Sequence, residues 1–200
     1  MNPPSKSERK EWWLYCHAHI SIRRALETCN ILLSSCESNR DILFPSLSLA
    51  IHAFYSRPFK SNRGVGFLPK ELIPKENQGI HEWIIDFRDS TLVHTDATEK
   101  EAAKAPYHEL VYSNNGSERE YSTFEPAPPI EAYRDAKTHI ERMHGIVLYR
   151  VALIHERFEN LIPVEDGDFL FQFNKEPLFI PHTIRNEIHL SYKPTTTIGS

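Results

Sequence analysis

Residues 130–161 read IEAYRDAKTHIERMHGIVLYRVALIHERFENL, and this stretch decides the fold. Ile130, Tyr133, Ile140, Met143, Val147, Ile154, Phe158 and Leu161 recur at spacings that add up to helical turns, so one face is apolar and the other charged. At about 1.5 Å per residue such a helix spans roughly 45–50 Å. It needs a partner of matching length. The segment from Ser7 to Cys36 supplies one, with Trp13, Cys16, Ile20, Ile22, Leu26, Cys29, Leu32, Leu33 and Cys36 at mostly three- and four-residue intervals. Ser7 stands where an N-cap is expected, with Glu11 one residue off the capping-box spacing.

A second helix is expected over Arg40–Tyr55, with Pro45 moving its start a few residues along the chain. A third covers about Gly79–Thr95. The runs at His108–Ser113 and Arg119–Phe124 flank Asn114-Asn115-Gly116, which reads as a β-hairpin around a glycine turn. Beyond Pro163, Phe169, Phe171 and Phe173 alternate with Leu170 and Gln172, the two-residue period of a strand, expected to pair with the hairpin. The fold class that follows is mainly α: a four-helix bundle over residues 7–161 carrying an inserted β-hairpin at 107–124. A short β-rich C-terminal tail over 162–200 packs on the bundle.

Composition excludes several functions. Lys plus Arg number 23 against 27 Asp plus Glu, a net charge of -4, which is wrong for a protein that coats nucleic acid by bulk electrostatics. No apolar run approaches the roughly 18–20 residues of a membrane span, and MNPPSKSERKEWW has no signal-peptide core, so a cytoplasmic protein without a membrane partner is expected. Cys16, Cys29 and Cys36 are odd in number and lack zinc-site spacing, which suits buried free thiols. Neither a glycine-rich phosphate loop nor a Gly-x-Ser-x-Gly elbow occurs.

Positive charge is instead local. Arg57, Lys60, Arg63, Lys70 and Lys75 fall in one proline-punctuated segment facing a single acid, Glu71. It leads into Ile80-His81-Glu82-Trp83-Ile84-Ile85-Asp86-Phe87-Arg88-Asp89-Ser90-Thr91-Leu92-Val93-His94-Thr95-Asp96. On a helical wheel Trp83, Ile84, Ile85, Phe87 and Leu92 form an apolar arc, with Glu82, Asp86, Asp89 and Asp96 outside it. Arg88 and His94 fall inside the arc, and His81 and Thr95 line up with Arg88 one heptad to either side. A guanidinium there cannot shed its charge, so it must meet a carboxylate, a phosphate or carbonyls. A carboxylate on a neighbouring helix would make Arg88 a structural ion-pair residue.

Arg88, five residues and His94, at the end of an amphipathic helix in a small bundle, resemble the Arg-x(4–6)-His motif of HEPN (higher eukaryote and prokaryote nucleotide-binding) domains. Asp89 agrees with the polar residue that often follows the arginine there. The wider stretch YSRPF at 55–59 with RDSTLVHTD at 88–96 also resembles a group of small bacterial helical proteins without assigned activity. The resemblance covers residues 7–161 and leaves out the hairpin and tail. It implies a metal-independent endoribonuclease of toxin or defence type, needing no cofactor, in which His94 is the acid/base and Arg88 the phosphate clamp, with Asp89, Thr95 and Asp96 orienting them. Arg57, Lys60, Arg63 and His81 would contact substrate. Arg88 and His94 sit about 9 Å apart along one helix and about 120° apart around it, so they converge only through long side chains, a break in the helix near Val93 or a two-fold dimer interface. The resemblance implies the last, a homodimer. RNA and an antitoxin or other protein are the implied partners.

Two readings compete. One is a non-catalytic helical interaction module held together by Arg88. The other is a histidine-rich metal site gathering His52, His81, His94 and Asp96 in the bundle centre. A di-iron bundle needs two Glu-x-x-His motifs, and the chain offers one, Glu141–His144. His139, His144 and His155 read as interface or surface residues of the fourth helix.

Overall fold

The computed structural model describes residues 3–60, 66–92, 110–114, 116, 119–123 and 128–182. Among the described residues four helices dominate: α1 (Lys6–Ser35), α2 (Phe44–Ser56), α3 (Gln78–Leu92) and α4 (Ile130–Arg157). The fold is mainly α, with two small antiparallel sheets. α1 packs on α2 and α4, and α3 packs on α2 and α4, closing a ring of four helices.

The interior seam follows from side-chain spacing. On α1 the buried residues Tyr15, Ala18, Ile22, Ala25, Cys29 and Leu32 repeat every three or four positions. Tyr133, Ala136, Ile140, Met143, Val147 and Val151 do the same on α4. Alanines among larger side chains let the helices approach closely. Each large apolar side chain buried here contributes about 1.5–3 kcal/mol, whereas an exposed ion pair contributes about 0–1 kcal/mol. The seam therefore holds the bundle, and surface pairs such as Arg142 with Glu76 trim it.

Local chemistry sets the ends. α1 begins two residues earlier than Ser7 would place it: Ser5 is the N-cap, its hydroxyl accepts from the Glu8 N–H, and the Glu8 carboxylate accepts from the Ser5 N–H. Ser5–Glu8 has the capping-box spacing that Ser7–Glu11 misses. Cys36 lies just past the helix as its C-cap. α2 starts at Phe44 instead of Arg40, because Pro45 is accommodated only in a first turn. α4 stops at Arg157, and Glu159–Leu161 forms a separate 3₁₀ turn instead of extending it.

Between α2 and α3 the chain makes short 3₁₀ turns at Arg57–Phe59, Lys70–Leu72 and Lys75–Asn77. Leu68 N–H donates to Pro58 O at 2.8 Å, folding residues 66–69 back onto the first of these turns. β1 (Leu110–Asn114) and β2 (Arg119–Thr123) form the inserted hairpin, Leu110 opposite Thr123 and Asn114 opposite Arg119. Gly116 in its loop has φ +81°, a conformation that favours glycine.

The tail departs from expectation. β3 (Phe169–Phe171) pairs with β4 (Phe179–Pro181), not with the hairpin. This second hairpin closes over a satellite core of Trp12, Phe158 and Leu178, with Phe171 and Phe179 against it. Trp12 accounts for the choice, since its ring meets Phe158, Phe171 and Phe179 at centroid distances of 5.5, 4.8 and 5.5 Å. Arg9 pairs with Glu176 at 2.6 Å alongside. Among the described residues no helix is long and apolar enough to cross a membrane.

Candidate functional site

Three polar environments adjoin α3. The first is wholly structural. His52 of α2 is fully buried; its Nδ1–H donates to the Ile84 carbonyl of α3 at 2.9 Å. That fixes Nε2 as an acceptor for the Tyr133 hydroxyl of α4, also at 2.9 Å. The Ser48 hydroxyl is then left to donate to the Tyr133 oxygen. The side-chain polar atoms of His52, Tyr133 and Ser48 are all partnered, and burial pushes the His52 pKa down to about 4 despite its bond to the Ile84 carbonyl.

The second is a relay through Tyr55. Its buried hydroxyl lies 2.7 Å from His81 Nδ1 on α3 and 2.5 Å from His139 Nε2 on α4. One phenolic proton serves two imidazoles, so one nitrogen donates to Tyr55 and the other accepts from it. Among the described residues His139 Nδ1 is buried without a hydrogen-bond partner. A buried N–H without an acceptor is rarer than an under-used acceptor, which assigns the proton of His139 to Nε2. His139 then donates to Tyr55, Tyr55 donates to His81 Nδ1, and His81 carries its own proton on Nε2. Both rings are held neutral. Burial pushes His139 down to about 4, aided by His81 and Arg142, and His81 to about 4, aided by Lys70 and Lys60 against Asp86.

The third is an ion cluster one heptad further along α3. Arg88 Nη1 donates to Asp89 Oδ1 at 2.7 Å, and Lys60 Nζ donates to Asp89 Oδ2 at 2.5 Å. Burial raises the Asp89 pKa, but the bonds to Lys60 and Arg88 outweigh it and hold the carboxyl below its usual range. Arg88 is thus not enclosed in the apolar arc. Its side chain is 31% exposed, and among the described residues its carboxylate partner is the adjacent residue of its own helix, not an acid across the bundle. Arginine has a long stem that reaches from an apolar face to solvent, which the wheel does not see.

A cleft of about 320 Å³ joins the second and third environments. His81 lines it from α3, and Lys60 lines it from the opposite wall while reaching Asp89. Of the other residues singled out in the sequence, Arg57 sits on the first 3₁₀ turn, where its charge reinforces the effect of burial in lowering His17 of α1. Arg63, His94, Thr95 and Asp96 lie outside the described residues. The proposed gathering of His52, His81, His94 and Asp96 does not form from its described members, since His52 and His81 belong to separate networks. Among the described residues no three potential metal-ligating side chains cluster.

His139 corrects the sequence reading most directly: it is 1% exposed, not a surface residue. A signal was there, because Ala136, His139 and Met143 keep the three-and-four spacing of the α4 seam. Tyr55 was marked only as the start of the YSRPF stretch and Lys70 only as one of five basic residues, and neither spacing indicates what its side chain meets.

No family model, curated protein or solved structure matches this chain.

Proposed function

We propose that the chain is an RNA-acting, HEPN-like protein, a metal-independent endoribonuclease working as a homodimer in the cytoplasm, of toxin or defence type. One observation carries this reading. The Arg88 guanidinium is partly exposed and shares the Asp89 carboxylate with Lys60, which also lines the cleft. A structural arginine would be enclosed with an acid from another helix. A guanidinium held in place by its neighbour and still open to solvent suits a phosphate clamp.

In the reaction the 2′-hydroxyl oxygen of a ribose attacks the adjacent phosphorus, and the bond from phosphorus to the 5′-oxygen breaks. The 2′-proton passes to a base and the leaving oxygen takes a proton. A 2′,3′-cyclic phosphate and a 5′-hydroxyl result. Arg88 would balance the charge of the pentacoordinate phosphorane, Asp89 would hold Arg88 and Lys60 in register, and His94 would move the proton.

The test is cleavage of single-stranded RNA by purified protein in EDTA. Cleavage should be lost in Arg88→Ala and in His94→Ala, with cyclic-phosphate ends in the wild-type products. Intact RNA after prolonged incubation with wild-type protein would instead favour the non-catalytic interaction module.

A further inference from the structure

We propose that the cleft lined by residues 59–60, residues 67–73 and α3 is a nucleotide subsite: it holds one base against Phe67 and the attached phosphate between Lys60 and Lys70, with His81 lining it from α3. The proposal rests on the RNA reading for the source of its ligand and deepens it, because Lys60 both lines this cleft and bonds Asp89 of the ion cluster at Arg88.

Size and lining carry the argument. A volume of about 320 Å³ is at the lower end for small-ligand pockets, which run from about 300 to 1,000 Å³. Phe67 is 55% exposed, an aromatic ring left largely in water at the lip, and it lines the cleft together with Phe59 and Ile85. Flat aromatic faces beside cations recur where single-stranded bases stack. Its backbone is anchored, since Leu68 is bonded to Pro58.

Polar groups converge on the same space. Lys60 and Lys70 line it, and His81 adds a neutral imidazole. With Nδ1 accepting from Tyr55, His81 keeps an Nε2–H to donate to an anionic oxygen. The ring cannot change tautomer without reorganising Tyr55 and His139, so the relay positions this donor. Glu82 and Asp86 also line the cleft. Two carboxylates beside two lysines disfavour a bare polyanion. They suit a ligand that brings its own hydrogen-bond donors, as a base amino group or ribose hydroxyls do.

The experiment follows the histidine ring nitrogens by NMR while 5′-AMP or 5′-UMP is added to the full chain, with adenosine and inorganic phosphate as separate arms. Both mononucleotides should perturb His81 more than either fragment does. Phe67→Ala and Lys70→Ala alter exposed side chains and leave the helices intact; each should weaken binding about tenfold. A single-stranded oligoribonucleotide should displace AMP, whereas Arg88→Ala should lose cleavage and keep mononucleotide binding. The subsite is overturned if neither mononucleotide moves His81, if both variants bind as wild type, or if the oligoribonucleotide fails to compete. RNA cleavage without mononucleotide binding sinks the subsite and spares the ribonuclease reading; binding without cleavage does the reverse.

Discussion

The hydroxyl of Tyr55 on α2 lies 2.5 Å from Nε2 of His139 on α4, and the same oxygen lies 2.7 Å from Nδ1 of His81 on α3. One phenol thus ties three helices together at a point where Tyr55 and His139 are 0% and 1% exposed. Tyr55→Phe keeps the ring and deletes the shared oxygen, leaving two imidazole nitrogens unpaired. A loss of about 1–3 kcal/mol is expected in urea unfolding. An unchanged midpoint would show that the relay carries no stability.

The three buried histidines predict a pH dependence. His52, His81 and His139 have pKa values lowered to about 4, below the ordinary histidine value of about 6.5. Between those values the unfolded chain binds protons that the folded chain does not, so stability rises with pH. It is fully present above about pH 6.5 and declines as pH falls toward 4. Each histidine contributes a slope of up to about 1.4 kcal/mol per pH unit. Thermal unfolding measured from pH 7.5 to pH 4.5 should show a falling Tm. His52→Gln should flatten the slope; a Tm constant across this window would contradict the neutral assignment.

Arg88→Ala separates clamp from brace. The side chains of Arg88 and Asp89 are 31% and 33% exposed, and pairs of that kind are worth less than about 1 kcal/mol. Denaturation should therefore register little change in the variant, while RNA cleavage disappears. A stability loss of about 3 kcal/mol or more would mean that Arg88 braces the bundle after all.

The thiols should be slow to react. Burial pushes Cys16 and Cys29 up to about 11, and Cys29 further donates to the Tyr133 carbonyl at 3.3 Å. Because the thiolate is the reactive form, iodoacetamide at pH 7.4 should label both only after unfolding. Mass spectrometry of the native protein after brief treatment checks this, and prompt labelling of Cys29 would place it outside the seam.

Much of the architecture was legible because helices announce themselves locally. The spacing of Tyr133, Ile140, Met143 and Val147 yields α4, and Asn114-Asn115-Gly116 yields the first hairpin, each from contacts within a few residues. The errors lie where a local rule met a distant partner. Phe169 and Phe171 read correctly as a strand, yet their pairing with Phe179–Pro181 depends on Trp12, more than 150 positions away in the chain. Arg88 fell in an apolar arc by its Cα direction, while the length of its side chain and the neighbouring Asp89 carry it to the surface.

Sequence alone therefore determined the helices, their apolar faces, the local excess of lysine and arginine after α2, and the interest of α3. Tertiary structure alone decided which histidines are chemically engaged. Tyr55 is separated from His81 by 26 residues and from His139 by 84, and His52 from Tyr133 by 81. Periodicity states which face of a helix is buried, but not which buried atom meets which. A hydrogen bond requires a donor and an acceptor within about 3 Å, and that distance exists only once the helices are packed.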